Sequence, residues 1–301
     1  MTDIFKRLSE SGIDSKAEVS LSEMSTFRIG GTADAVAYPE SSEELIEAVR
    51  AAKECGISFL VIGNGSNLLF SDDGYDGLVI STDRLRAFSF EGEIVNCSAG
   101  VSLPSLSKKA AELGLSGLEF ACGIPGYLGG AVCMNAGAHG GEMSDVVLST
   151  RAYDSESDTV FDIVGKDNLF SYRYSVYTES PSLICLSADI ALKRDSVDAI
   201  KARMKEYIEK RRSTQPIEMA SAGSFFKRPE GHFAAKLIDD CGLKGFQVGR
   251  AAVSEKHAGF IVNLGGATAK EVLELAETVS DKVFAETGIR LEKEVKYLGR
   301  I

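Results

Sequence analysis

The sequence predicts an α+β fold, and three observations carry that prediction. Amphipathic helical stretches and short β-branched runs follow one another in mixed order, not in a regular strand–helix–strand rhythm. The glycine-rich loop Gly63 to Asn67 follows an apolar run directly, yet leads into Leu68-Leu-Phe-Ser-Asp-Asp-Gly74, which is apolar and then turn-like. A dinucleotide-binding βαβ unit would start a helix there. A second run, Gly123 to Gly141, is dense in glycine and small residues and nearly uncharged. Backbone of that kind can approach a large planar or phosphorylated ligand closely, because no Cβ shields its amides. Two such loops predict a ligand with two ends.

Each element has a local reason. Ser41 to Cys55 reads as a helix: Ser41 and Glu44 form a capping-box pattern, Leu45, Val49 and Ala52 share a face, and Gly56 stops it. Ile57 to Ile62 reads as a buried strand, as do Gly77 to Ile80, Ile94 to Ala99 and Leu183 to Ile190. Leu103 to Leu113 is helical and stops at Gly114. Ser196 to Arg212 is a charged helix with Ile200, Met204 and Ile208 on one face, ending in the basic run from Lys210 and joining two domains. Phe233 to Asp240 is a short helix. Thr268 to Thr287 is a long one, with a Thr268/Glu271 capping box and an apolar stripe of Val272, Leu275, Ala276, Val279 and Val283. The alternating Ile289 to Val295 predicts a terminal strand.

At 301 residues the chain exceeds one compact core, so two or three domains are expected. Its composition, 44% hydrophobic and 26% charged, is that of a globular protein without a disordered tract. A net charge of −11 argues against nucleic acid as partner, since phosphate neutralisation needs a clustered basic face. No apolar run reaches membrane-spanning length and the amino terminus lacks a signal peptide core, so the expectation is a cytoplasmic protein; a monomer is expected as well, though nothing in the sequence specifies it. The 6 cysteines lack zinc spacing, which predicts reduced core thiols and no metal site.

Separated motifs then resemble one family over nearly the whole chain, the flavin-dependent UDP-N-acetylenolpyruvoylglucosamine reductases of peptidoglycan precursor synthesis. They are Ser25-Thr-Phe-Arg-Ile-Gly-Gly31, Gly63-Asn-Gly-Ser-Asn67, Gly117-Leu-Glu-Phe120, Gly123-Ile-Pro-Gly126, Met134-Asn-Ala-Gly137, Tyr172-Arg-Tyr-Ser175, Ser221-Ala-Gly-Ser-Phe-Phe226 and Leu291-Glu-Lys-Glu-Val295. The compact length resembles the shorter of the family's two structural types. The resemblance implies a flavin-binding domain of the vanillyl-alcohol-oxidase type, in which FAD lies non-covalently between two α+β subdomains, residues 1–66 with 288–301 and residues 67–195. A substrate-binding domain, residues 196–287 with its linker helix, would close over the substrate.

Further residue roles are implied in the same way. Gly63, Asn64, Gly65, Ser66 and Asn67, with Gly123, Ile124, Pro125 and Gly126, would meet the FAD diphosphate and flanking groups, and Gly130, Ala131, Asn135 and Gly137 would complete the flavin site. NADPH reduces the flavin in such enzymes, and the flavin then delivers hydride to the double bond of an enolpyruvyl ether. The enolate-like charge that develops must be stabilised and then protonated. Ser224 matches the family's proton donor, Glu294 the acid over the enolpyruvyl group in its protonated form, with Glu292 as the decoy, and Arg173 the arginine that holds the substrate carboxylate. A planar guanidinium suits a carboxylate as lysine does not. Tyr172 and Gln215 would line the substrate site. Many relatives carry a lysine for the nucleotide-sugar phosphates where this chain has Thr214, which leaves that charge to Arg211, Arg212, Lys227 or Arg228.

Other chemistries use some of the same residues. A hydrolase would combine Ser224 with His257 and Asp239 or Asp240, but the Gly-x-Ser-x-Gly elbow is missing. An alcohol or sugar oxidase of the same fold could hold flavin covalently through His139, but would leave Ser224 and Glu294 without a role. A flavin-holding protein without activity would have no use for Arg173, Ser224 and Glu294.

Overall fold

The computed structural model describes residues 1–300, which pack as two compact units, each assembled from separated segments of chain. Met1–Lys16, Ala35–Asn64 and Gly77–Lys210 form the first; Ala17–Asp34, Gly65–Asp76 and the chain from Arg211 onward form the second. The linker helix, Val197–Thr214, carries the division near its end.

In the first unit an antiparallel sheet has the order Thr159–Val164, Val147–Asp154, Leu183–Ala191, Ile94–Ser98, Phe88–Glu91. Its central strands pair Ala188 with Cys97 and Ile190 with Val95. Helices Leu103–Glu112 and Leu128–Cys133 add Leu103, Leu106, Leu128 and Val132 to the core that this sheet begins. Each such aliphatic side chain contributes about 1.5–3 kcal/mol on burial. A separate core gathers Ile4, Leu8, Leu45, Val49, Leu78 and Ile80. Its helix Ser42–Glu54 starts where the capping pattern placed it, Ser41 Oγ accepting from the Glu44 main-chain N–H at 3.1 Å. The parallel strands Phe59–Ile62 and Tyr75–Ser81 pair from Phe59 with Leu78 to Ile62 with Ser81. No helix joins them; the connection is the glycine loop, then strand Leu68–Phe70 and a turn, as its sequence predicts.

In the second unit the 19-residue helix Ala269–Thr287 packs the predicted stripe into a core with Phe27, Phe225, Val253 and Ile261. Its start is capped twice. Thr268 and Glu271 close the capping box, and the Asp72 carboxylate accepts from the N–H groups of Ala269 at 2.7 Å and Lys270 at 3.1 Å. Beside it lie the antiparallel strands Ala251–Val253 and Ile261–Asn263.

The terminal strand lies elsewhere than the alternation predicts. Ile289 to Val295 forms no strand. Leu291 and Val295, four residues apart, are both buried, and between them only Lys293 makes an isolated bridge, to Phe226. The strand is Lys296–Leu298, parallel to Leu68–Phe70. Alternation records where side chains point, whereas strand pairing needs a partner backbone, and one becomes continuous only at Lys296. Among the described residues no helix is long and apolar enough to cross a membrane, and no His, Cys, Asp and Glu cluster could hold a metal ion.

Candidate active site

The first unit brings several predicted residues together. Asn64 Nδ2 donates to the Pro125 carbonyl at 2.7 Å, so the tips of the two glycine-rich loops are tied. Tyr127, next along, donates its hydroxyl to Asp83 at 2.6 Å, and Arg86 donates to the same carboxylate oxygen at 2.8 Å. Burial and the Asp83 bond push the Tyr127 phenol up to about 12, so it is a neutral donor at physiological pH. Gly130 is exposed, with nothing within 4 Å of where a Cβ would stand, and Ala131 beside it is buried. Backbone at Gly123, Ile124 and Gly126 is half-buried.

Asn135 is 0% exposed. Its amide donates to Glu142 at 2.9 Å and to the Ser171 carbonyl at 3.1 Å, and its oxygen accepts from the Ser144 N–H at 2.9 Å. This side chain therefore orders two turns, that of Gly137 and that of Arg173. Ser171 and Tyr174 exchange main-chain hydrogen bonds at 3.1 and 3.2 Å across a two-residue turn whose tip is Tyr172 and Arg173. Arg173 has φ 57°, a left-handed conformation that costs a non-glycine residue energy and keeps its side chain in a set direction. Its guanidinium lies 5.5 Å from the centre of the Tyr172 ring. Below the turn, the hydroxyls of Ser175 and Thr178 both donate to the Cys133 carbonyl at 2.7 Å.

The second unit brings the segments that carry Ser224 and Glu294 side by side. Glu294 N–H donates to the Phe225 carbonyl at 2.8 Å, and the Lys227 N–H to the Glu292 carbonyl at 2.8 Å, so residues 224–227 and 292–294 run side by side. Glu292 is exposed and pairs with the Lys227 ammonium at 3.3 Å, whereas Glu294 is half-buried. Asn67 reaches the same segment: its amide donates to the Glu294 carbonyl at 3.3 Å, and its own carbonyl accepts from the Lys296 N–H at 3.0 Å. Two residues tie the chain around the Ser224 segment, and sequence reading gave neither this role: Thr26 bonds the segment itself, and the Asn263 N–H donates to the Ala220 carbonyl just before it at 2.9 Å. Thr26 Oγ1 donates to the Ser221 carbonyl at 2.7 Å. Asn263, buried, donates to the Phe27 carbonyl at 3.1 Å and accepts from the N–H groups of Gly265 and Ala267 at 2.8 and 3.0 Å. Thr26 lies inside a recognised motif, but Asn263 has no local signal. The exposed Arg228 lies 4.7 Å from the Phe233 ring centre, Gln215 N–H donates to the Arg211 carbonyl at 2.9 Å, and Thr214 is exposed.

The glycine loop is shaped for a closely approaching ligand. At Gly65, with φ 60°, a Cβ would stand 2.2 Å from the Met24 carbonyl oxygen and 2.8 Å from Ser25 Cα, so only glycine fits. The Ser25 hydroxyl beside it is buried and makes no hydrogen bond among the described residues. Neutral main-chain amides fit a dianionic diphosphate, so the glycine loop, Gly65, Ser66 and Asn67 here and Gly63 and Asn64 in the first unit, suits FAD. In Gly123 to Gly126, by contrast, the N–H groups of Ile124 and Gly126 already donate to the Ala121 and Ile124 carbonyls.

The hydrolase arrangement is not assembled. His257 Nδ1 accepts from the Gly259 N–H at 3.2 Å, which takes the atom a triad carboxylate would use, and burial holds the imidazole below its ordinary pKa. Asp239 pairs with Lys244 at 2.9 Å and Asp240 with Lys236. His139 stacks face to face on Tyr207, centroids 4.4 Å apart.

Comparison with known proteins identifies relatives along the whole chain. Residues 215–298 match the C-terminal domain of UDP-N-acetylenolpyruvoylglucosamine reductases, and residues 33–162 match an FAD-binding domain. The UDP-N-acetylenolpyruvoylglucosamine reductase of Caldicellulosiruptor bescii is 42% identical over 295 residues, covering 97% of this chain and 93% of that protein. The reductase of Syntrophomonas wolfei is 45% identical over 285 residues, covering 94% and 95%. Among solved structures, the reductase from Thermus caldophilus superimposes with a TM-score of 0.80 at 36% identity, covering 95% of this chain and 98% of that one.

Proposed function

We propose, from the premise that this chain belongs to the UDP-N-acetylenolpyruvoylglucosamine reductases and is an FAD oxidoreductase of the α+β vanillyl-alcohol-oxidase type, that it uses NADPH to reduce UDP-N-acetylglucosamine enolpyruvate to UDP-N-acetylmuramate. The observation that supports this most directly is that the segment carrying Ser224 and the segment carrying Glu294 run side by side, the Glu294 N–H bonded to the Phe225 carbonyl, with Glu292 diverted into an ion pair. FAD, when bound, supplies the hydride.

This chain's residues supply the rest. Arg173 holds the substrate carboxylate, into which negative charge spreads as the double bond is reduced, and its two-pronged donor strengthens as that charge grows. Glu294, protonated, lends a further donor to the same charge. Ser224 Oγ gives its proton to the carbanion-like carbon; the hydroxyl is acidic enough only against so basic a partner. Lys227, Arg228 and Arg211, with Tyr172 and Gln215, belong to nucleotide-sugar recognition. The division into residues 1–66 with 288–301, 67–195 and 196–287, the cytoplasmic location and the monomeric state belong to the same reading.

The deciding experiment mixes the purified protein with NADPH and follows NADPH absorbance with and without the enolpyruvyl sugar. Oxidation that depends on the sugar is expected. Oxidation indifferent to the sugar but driven by an alcohol or by oxygen would sink the reductase reading.

A further inference from the structure

Arg173 stands at the third position of the tight turn Ser171 to Tyr174, with φ 57°. A tight turn with a positive φ there ordinarily takes Gly or Asn, because a Cβ makes that conformation costly. An arginine persists in it only where the surroundings leave the backbone no alternative. Three side-chain hydrogen bonds supply that constraint, and each joins the turn to residues 133–135. Asn135 Nδ2 donates to the Ser171 carbonyl on one side of the turn, and the hydroxyls of Ser175 and Thr178 donate to the Cys133 carbonyl from the other. Asn135 is fully committed. It is 0% exposed, its amide also donates to Glu142 and its oxygen accepts from the Ser144 N–H, so no amide hydrogen is left for a ligand. Residues 133–135 continue the helix Leu128–Cys133, which carries Gly130 and Ala131, and the N–H groups of Asn135 and Ala136 donate back to the Val132 and Ala131 carbonyls at 3.1 and 2.8 Å. All of these residues lie in the first compact unit.

We infer that Asn135 is a positioning residue for Arg173, acting with Ser175 and Thr178 to fix the direction from which the guanidinium meets the substrate carboxylate. The inference rests on the reductase reading above, in which Arg173 holds that carboxylate. It moves the Asn135 side chain from cofactor contact to substrate alignment. One short stretch of backbone then serves both ligands: Gly130 and Ala131 belong to the flavin site, and residues 133–135 hold the arginine that seats the substrate. The spacing between the two sites is set by a helix end, not by the flexible stem of an arginine. An arginine on an unconstrained loop would have to be ordered as the substrate binds, whereas the backbone of this one is ordered beforehand.

The carboxylate provides the test. Flavin-loaded wild type, Asn135→Gly, Arg173→Ala and the double variant are titrated calorimetrically with UDP-N-acetylmuramate, which carries the carboxylate, and with UDP-N-acetylglucosamine, which lacks it. Glycine is the replacement because it adopts the Asn135 φ of 43° without strain, so that only the amide is removed. We expect Asn135→Gly to raise the Kd for UDP-N-acetylmuramate about ten-fold to a hundred-fold, as misplacing a charge-assisted donor does, and to leave UDP-N-acetylglucosamine within about two-fold. In the Arg173→Ala background the same substitution should cost no further affinity, because a residue that acts through the guanidinium then has nothing to act on. Unchanged affinity of Asn135→Gly for UDP-N-acetylmuramate would overturn the inference, as would equal weakening of both ligands, or losses that add in the double variant. Arg173→Ala that binds UDP-N-acetylmuramate as tightly as wild type would overturn it too, since the arginine would not hold the carboxylate. Should Asn135→Gly not fold, Thr178→Val, which removes one of the two hydroxyl bonds to Cys133, takes its place in the same cycle and the same outcomes decide. Failure of the reductase reading itself is seen separately, in wild-type protein that binds neither nucleotide sugar.

Discussion

Two carboxylates two residues apart differ in what surrounds them, and that difference sets the mutational ranking. Glu292 is solvated and bound to Lys227, whereas Glu294 is half-buried, its N–H on the carbonyl of Phe225, the residue after Ser224. Ser224→Ala should leave reduction of the flavin by NADPH intact and slow its reoxidation by the enolpyruvyl substrate by about a hundred-fold or more in stopped flow, the usual loss for a positioned acid. Glu294→Gln should behave similarly and Glu292→Gln should be mild; the reverse order would show that the chemistry belongs to Glu292. Glu119 illustrates the other kind of motif residue, one that stabilises and does not react. Burial opposes its ionisation, but the Gly117 N–H at 2.6 Å, the Arg203 guanidinium at 2.6 Å and the Ser116 hydroxyl at 2.8 Å outweigh that and hold the carboxyl below its ordinary value. A depressed folded pKa means stability that is fully present above the unfolded value, 4.5, and lost as pH falls through the lower folded one. Glu119→Gln should therefore cost about 1–3 kcal/mol in urea unfolding at pH 7 and flatten the acid loss below pH 4.5. A variant with the wild-type acid profile would mean that Glu119 does not carry this linkage.

Helices were legible because their signals are local. Thr268, Glu271 and the stripe from Val272 to Val283 lie within one continuous segment, and the helix Ala269–Thr287 forms where they placed it. The second cap was not legible: Asp72 stands 197 residues away from Ala269, and nothing in Ser71-Asp-Asp-Gly74 distinguishes a turn aspartate from a helix cap. The same limit misplaced the last strand, since pairing of Lys296–Leu298 depends on Leu68–Phe70, more than two hundred residues earlier. Likewise Ser224, Glu294 and Asn135 could be picked out by motif resemblance, while the bonds by which Asn135 and Asn263 tie distant backbone together could not. The importance of both asparagines lies in hydrogen bonds to backbone that the sequence does not bring near. Removing either cap separates the two signals. Thr268→Ala should cost about 1 kcal/mol, and Asp72→Ala a similar amount despite its distance in sequence. Equal stability of Asp72→Ala and wild type in chemical denaturation would show that the distant cap contributes nothing.

The compact units differ in how their chain is gathered, and this determines where the whole molecule is vulnerable. The second unit draws on residues 17–34, 65–76 and everything from 211 on, so its core closes only when the carboxy-terminal segment returns to the first hundred residues. That segment brings in Leu291 and Val295, the Glu294 carbonyl that Asn67 binds, and the strand paired with Leu68–Phe70. Leu291→Ala should thus lower stability by about 2–4 kcal/mol through the cavity it leaves. It should also loosen Asn67, which the same segment anchors, and so weaken FAD. The two effects are separable by linkage. FAD stabilises the folded chain by RT ln(1 + [FAD]/Kd), about 2.7 kcal/mol at a hundred times Kd. If Leu291→Ala only opened a cavity, the rise in melting temperature on adding FAD would match the wild-type rise, shifted down as a whole. If the carboxy-terminal segment also orders the loop, the rise at the same FAD concentration should be smaller, because Kd has increased. Melting curves of both proteins across an FAD series measure this directly, and parallel curves would confine the segment to a purely structural role.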